Sequence, residues 1–129
     1  MLDIDHFKSV NDRFGHPAGD GVLCEVSRRL RASIRVYDSV GRFGGEEFLV
    51  VTSGCDETAG LAQAERLRQV VSSAPIIVKD ISINATVSVG VATAREFNPK
   101  THEALLSAVD KALYNAKKNG RNRVEQHSL

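Results

Sequence analysis

Two tight carboxylate pairs dominate the chemistry this sequence could do: Asp3 and Asp5 in "DID", and Glu46 and Glu47 in "GRFGGEEF". Residues two apart on a strand project from one face, so Asp3 and Asp5 are expected to point the same way. Each pair alone is compatible with simple solvation. Gly44 and Gly45 tolerate positive φ and suit the two-residue turn of a β-hairpin with hydrated acids beyond it. Taken together the pairs say more, because a small sheet can bring that hairpin beside the first strand. Carboxylates converging from separate elements suit a hard cation such as Mg²⁺, which takes one or two of them and completes its shell with substrate phosphates. The histidines (His6, His16, His102, His127) and cysteines have no zinc-like spacing.

Magnesium chemistry implies phosphates, yet no Walker-type loop is present, since "GHPAGDG" lacks the Gly-Lys-Ser/Thr end. The remaining donors are the backbone amides after Asp3, where a short helix begins, and Lys8, Lys117 and Arg121. Lys117 and Arg121 suit a solvated helix C-terminus equally well, and spacing alone favours that reading. Asn11, Asp12 and Asp20 surround a glycine-rich loop. They can cap helices or read a purine edge, and capping is the default for Asn11 and Asp20.

A chain of 129 residues fits one domain with a real core. Its 17 basic and 16 acidic side chains leave a net charge of +1, which argues against a general nucleic-acid binder or a contact with the membrane surface. No apolar run approaches the ~20 residues needed to span a bilayer. Cys24 and Cys55 form no CxxC pair, so reduced thiols and a cytoplasmic location are expected.

The elements that must position these residues can be read from periodicity. "MLDID" reads as the end of a buried strand, "HFKSVNDRF" as a short polar helix and "GHPAGDG" as a loop. Leu23, Val26, Leu30 and Ile34 place an amphipathic helix over roughly 20–34. Strands over 40–43 and 48–52 flank the glycine pair. Asp56 can cap a helix running to about Ser73. Strict alternation from Ile81 to Val91 predicts one long strand, with "IIV" before it as its hairpin partner. Thr101 can cap a last helix that ends at Gly120, with Lys117 and Lys118 in its final turn. The order β-α-β-β-α-β-β-α predicts an α/β sandwich: a largely antiparallel sheet with helices packed against it.

In this order and spacing, "DIDHFKSVND", "GHPAGD", "GRFGGEEF" and "YNAKKNGRN" resemble the GGDEF family of bacterial diguanylate cyclases, along almost the whole chain. The signature reads GGEEF here, a variant that keeps a carboxylate at Glu46. The resemblance implies a five-stranded sheet of the nucleotide-cyclase or polymerase-palm kind. It implies condensation of two GTP molecules into cyclic dimeric GMP with release of pyrophosphate. By that likeness, Asp3, Glu46 and the Ile4 carbonyl would hold Mg²⁺ (or Mn²⁺). Asn11 and Asp20 would bind guanine, and Phe7, Lys8, Lys117 and Arg121 the triphosphate. Gly44 and Gly45 would let the backbone approach the nucleotide. Glu47 would be a second metal ligand or the base for the attacking 3′-hydroxyl. With one GTP per domain, turnover would need a homodimer.

The spacing Arg35-x-x-Asp38 before the glycine pair resembles the family's inhibitory site for the product, and Arg66 falls where a second arginine is often found. Family domains usually carry a further helix before the first strand and a sensory domain before that. The expectation is therefore one catalytic domain over 1–129 without that helix and the start of that strand. An apolar part of the sheet would be left to be covered otherwise, and the chain would belong to a longer, membrane-anchored sensor or act as a binding module.

Overall fold

The computed structural model describes residues 1–96 and 98–129. A three-residue strand occupies the middle of the sheet: β1 (Leu2–Ile4) is buried at every position and pairs antiparallel with two neighbours. Helices α1 (Phe7–Phe14) and α2 (His16–Ala32) follow, then the hairpin β2 (Ser39–Arg42) and β3 (Glu47–Val51). After α3 (Glu57–Ser72) come β4 (Ile76–Val78), β5 (Ile81–Ile83), β6 (Val87–Val91), α4 (Pro99–Lys118) and β7 (Val124–Gln126). The main sheet has the order β2-β3-β1-β6-β7, antiparallel except for the parallel β6–β7 pair, and β4–β5 forms a separate ribbon. Among the described residues no helix is long and apolar enough to cross a membrane.

The two sheet faces differ chemically. Leu2, Ile4, Phe48, Val87 and Val89 share one core with Val22, Val26 and Leu30 of α2 and Leu67 and Val71 of α3. Asp3, Glu47 and Ser88 lie opposite one another on the other face, by their register. Further along that face, Met1, Leu49 and Ala92 pack with Val109 and Leu113 of α4. Arg29, almost fully buried on α2, closes the end of α3 by donating to the carbonyls of Val71, Ala74 and Pro75. Those carbonyls have no partner within the helix, so the guanidinium satisfies them while joining two elements.

Four local expectations are corrected. The stretch "GHPAGDG" is not a loop: α2 starts at His16, with Pro17 in its first turn after Gly15 at φ +89°. The alternating run 81–91 is two strands, because the chain leaves the β4–β5 ribbon after Ile83 and enters the main sheet at Val87. Apolar alternation persists through the break, since Ala85 is itself buried. The last helix is capped by Asn98, whose side chain accepts from the Thr101 amide, and not by Thr101. Strand β7 was not expected. Asp56 does cap α3, accepting from Ala59 N at 2.8 Å, and Gly120 does end α4, at φ +121°.

Gly90 has a purely steric reason. A Cβ there would lie 2.5 Å from both Leu113 N and Val109 O on α4, so this helix rests on bare strand backbone. Gly90→Ala is expected to destabilise the domain by about 1–3 kcal/mol through overpacking, read as a lower urea midpoint with an unchanged m-value.

Candidate functional site

The predicted acidic residues meet at the edge where β1 faces β3. Asp3 lies directly opposite Glu47, and the Ile4 amide donates to the Glu46 carbonyl at 3.2 Å, which pins the start of β3 against β1. Asp3 is 5% exposed, and its Oδ2 accepts from Lys117 Nζ at 2.8 Å. Lys117 is thus not the free, solvated helix end that spacing favoured. Its stem runs from the last turn of α4 to the central strand. The Glu46 carboxyl is held above its ordinary range by burial first, then by the charges of Asp3 and Glu47, with Lys117 opposing.

Asp5 has a different fate from Asp3. Its Oδ1 accepts from Ser88 Oγ at 2.6 Å, and its Oδ2 from Thr86 Oγ1 at 2.7 Å and Asn122 N at 3.0 Å. Three donors satisfy the carboxylate, so the "DID" pair divides into one charge-paired acid and one hydrogen-bonded acid.

The glycine pair does not form the expected two-residue turn, and neither Gly44 nor Gly45 has positive φ. The link from Phe43 to Glu46 is wider, and Arg42 closes it by donating to the Gly44 carbonyl from Nε (3.0 Å) and to the Gly45 carbonyl from Nη2 (2.7 Å). Sequence reading missed Arg42; its signal was a long multiple donor directly flanking the turn. A Cβ on Gly45 would meet no atom within 4 Å, so neither backbone strain nor internal packing requires glycine there.

The strand leads directly into α1, whose N-cap, His6, is left-handed at φ 54° and offers no side-chain cap. The first-turn amides, including Phe7 and Lys8, therefore have no partner within the helix. The Phe7 ring is buried and Lys8 is exposed. Asn11 and Asp20 are not caps, because the N-caps of α1 and α2 are His6 and Gly15, neither with a side-chain capping bond. Asn11 instead lies over Gly19, where a Cβ would come 1.8 Å from its Oδ1. Asp20 is exposed one residue further on α2. Arg121, exposed at φ 62°, follows α4, and its amide donates to the Ala116 carbonyl at 3.0 Å.

The Arg35–Asp38 pair sits at the far end of β2 from the glycines. The length of that strand separates the two places, roughly 10 Å at 3.3 Å per residue. Asp38 is buried and accepts from Arg35 N at 3.1 Å and Gln63 Nε2 at 3.3 Å. Burial would raise its carboxyl, but these bonds and the Ser53 amide hold it below its ordinary range. Exposed Arg35 bonds Tyr37 Oη at 3.0 Å, and Arg66 donates to the Ser33 carbonyl at the end of α2.

The donors around Asp3 are all oxygen and suit a hard cation, with the Lys117 ammonium in the position of a positive counter-charge. Among the described residues no three His, Cys, Asp or Glu side chains form a ready-made metal cluster. A family model described as diguanylate cyclase, GGDEF domain, matches residues 1–123.

This chain belongs to the GGDEF domain family.

Among curated relatives, diguanylate cyclase A of Treponema denticola is 43% identical over 124 residues, covering 96% of this chain and 33% of that protein. The chain spans about a third or less of the length of the first such relatives. Among solved structures, the GGDEF domain of DgcB from Caulobacter crescentus in complex with c-di-GMP is 33% identical, with a TM-score of 0.87 over 97% of this chain and 74% of that one. The active GGEEF domain of a diguanylate cyclase from Vibrio cholerae is also 33% identical, with a TM-score of 0.80 over 98% and 79%. The neighbours are GGDEF cyclase domains, and the mixed α/β architecture with its five-stranded sheet is the one expected.

Charge balance in this GGDEF domain gives a stability test. Lys117→Met leaves the buried Asp3 charge uncompensated and is expected to cost about 1–3 kcal/mol. The double variant Asp3→Asn/Lys117→Met should recover most of that loss in urea titrations. A second change goes the other way. With its pKa raised, Glu46 costs the folded state stability as pH rises from the ordinary carboxylate range through the raised one. Glu46→Gln should remove that slope and raise stability at neutral pH, read in the same urea titrations.

Proposed function

We propose that this domain condenses two GTP molecules into cyclic dimeric GMP, each 3′-hydroxyl attacking the other molecule's α-phosphate and releasing pyrophosphate. The observation that carries this reading is the buried Asp3 carboxylate facing Glu47 across β1–β3, with Glu46 beside it and the Lys117 ammonium as counter-charge. Family membership and relatives named as diguanylate cyclases support it.

Asp3, Glu46 and the Ile4 carbonyl would hold Mg²⁺, or Mn²⁺ in its place, and this cation would neutralise charge on the transferred phosphate. Glu47 serves as a further ligand or as the base for the 3′-hydroxyl. The α1 amides at Phe7 and Lys8, together with Lys117 and Arg121, bind the triphosphate. Asn11 and Asp20 read the guanine edge. The open space at Gly45 supports close approach of the nucleotide to the backbone there, while Gly44, where a Cβ would lie 3.3 Å from Glu47 Oε2, leaves room for the Glu47 carboxylate. Each domain holds one GTP, so turnover requires two domains face to face.

Product inhibition is assigned to Arg35, Asp38 and Arg66. Arg35 carries its charge at the surface, while buried Asp38 fixes its backbone; guanidinium groups suit phosphate and guanine edges. A second reading, a GTP- or product-binding module without turnover, draws on Lys117 Nζ already holding the Asp3 oxygen that a cation would take.

Incubation with GTP and Mg²⁺ over a range of protein concentrations separates these readings. Cyclic dimeric GMP forming with a steep concentration dependence is expected; folded protein that binds GTP and makes none would leave the module. Glu46→Gln should lower turnover at least 100-fold, and Arg35→Ala should weaken product binding at least tenfold, measured by calorimetry. Gly19→Ala should keep the domain folded while displacing Asn11, so GTP affinity falls and a wild-type value would argue against Asn11 at the guanine.

A further inference from the structure

Asp5 performs no role in the chemistry above, yet it is 7% exposed and each of its oxygens is engaged. Its partners come from two distant parts of the chain. Ser88 and Thr86 belong to β6 and the segment entering it, and the Asn122 amide belongs to the turn that follows α4. That turn is unusual. Gly120, Arg121 and Asn122 have φ of +121°, +62° and +46° in succession, two of them on residues with side chains. Such conformations persist only where surrounding structure over-determines them. The backbone of the turn is held by the Ala116 carbonyl, which accepts from Arg121 N, and by the Asp5 carboxylate, which accepts from Asn122 N. On the side-chain side Asn122 Oδ1 accepts from Arg68 of α3, and the Arg121 carbonyl accepts from Arg123 Nε.

We propose that Asp5 is a positioning residue: through the Asn122 amide it latches the turn after α4 to the central sheet, and so fixes Arg121 near the end of β1 that carries Asp3. The inference rests on the triphosphate reading of Arg121. It differs from a metal-ligand role for the second acid of "DID", because the three donors already occupy its oxygens. The latch also gives a reason for an acid at this position. A carboxylate accepts one backbone amide and two hydroxyls at once, each bond strengthened by its charge. Asparagine can keep most of this pattern by turning its amide nitrogen to Ser88 Oγ, whereas alanine keeps none.

A double-variant cycle tests the proposal, using a GTP analogue with a non-cleavable α–β bridge and Mg²⁺ in equilibrium dialysis. Asp5→Ala is expected to weaken binding about tenfold or more, and Asp5→Asn to stay within about threefold of wild type. In an Arg121→Ala background, Asp5→Ala should cost no more than about twofold. Equal losses in both backgrounds would make Asp5 a general structural residue and overturn the latch. Wild-type binding by Arg121→Ala would instead remove Arg121 from the triphosphate, a failure of the earlier reading that takes the latch's object with it. Where Asp5→Ala does not fold, hydrogen exchange on the wild-type protein decides: the Asn122 amide should be protected like those of β6, and rapid exchange would overturn the proposal.

Discussion

A carboxylate buried in the central strand of a sheet has to be answered, and the arrangement of this domain follows from how Asp3 is answered. Its strand is only three residues long, held on both sides by antiparallel partners, and its charge is met by an ammonium 114 positions away in sequence. That pair needs α4 to end beside β1, which in turn needs the helix to lie against Gly90 with no side chain between them. Charge compensation and close packing therefore impose the same geometry. Neither would be sufficient alone, because an isolated partly buried pair contributes little net stability.

Much of this was legible in the sequence where one residue type does one local job. Asp56 caps its helix, Gly120 ends another, and the glycine pair separates two strands, because each signal acts over a few residues. The departures arise where distant contacts decide. Val124–Gln126 has no strand pattern of its own and becomes β7 through parallel pairing with β6. The run 81–91 keeps its alternation across a change of sheet, so period alone could not reveal the break. The starts of α2 and α4 were readable from proline in the first turn behind Gly15 and Asn98, a signal that the glycine-rich composition and the later Thr101 obscured.

The site residues were legible by type and not by partner. Asp3, Glu46, Glu47 and Lys117 do gather at one place, but spacing could not say that Lys117 would reach Asp3 while Arg121 would stay exposed. It also gave the two acids of "DID" one shared fate, whereas the sheet gives them different neighbours. The Arg35–Asp38 turn is separated from the acidic cluster by the length of β2.

The sheet has one side that is almost wholly hydrocarbon and another that carries the ionised and hydroxyl groups. Robustness and chemistry are thus written on opposite surfaces of the same few strands. Substitutions at buried α2 and α3 positions such as Val22, Val26, Leu30, Leu67 and Val71 can change how firmly the domain holds together without meeting a nucleotide. The α4 side can acquire new recognition while the opposite layer supplies a reserve of stability against the cost. Such a division makes a domain easy to reuse, joined to different neighbours and tuned for each without being folded anew.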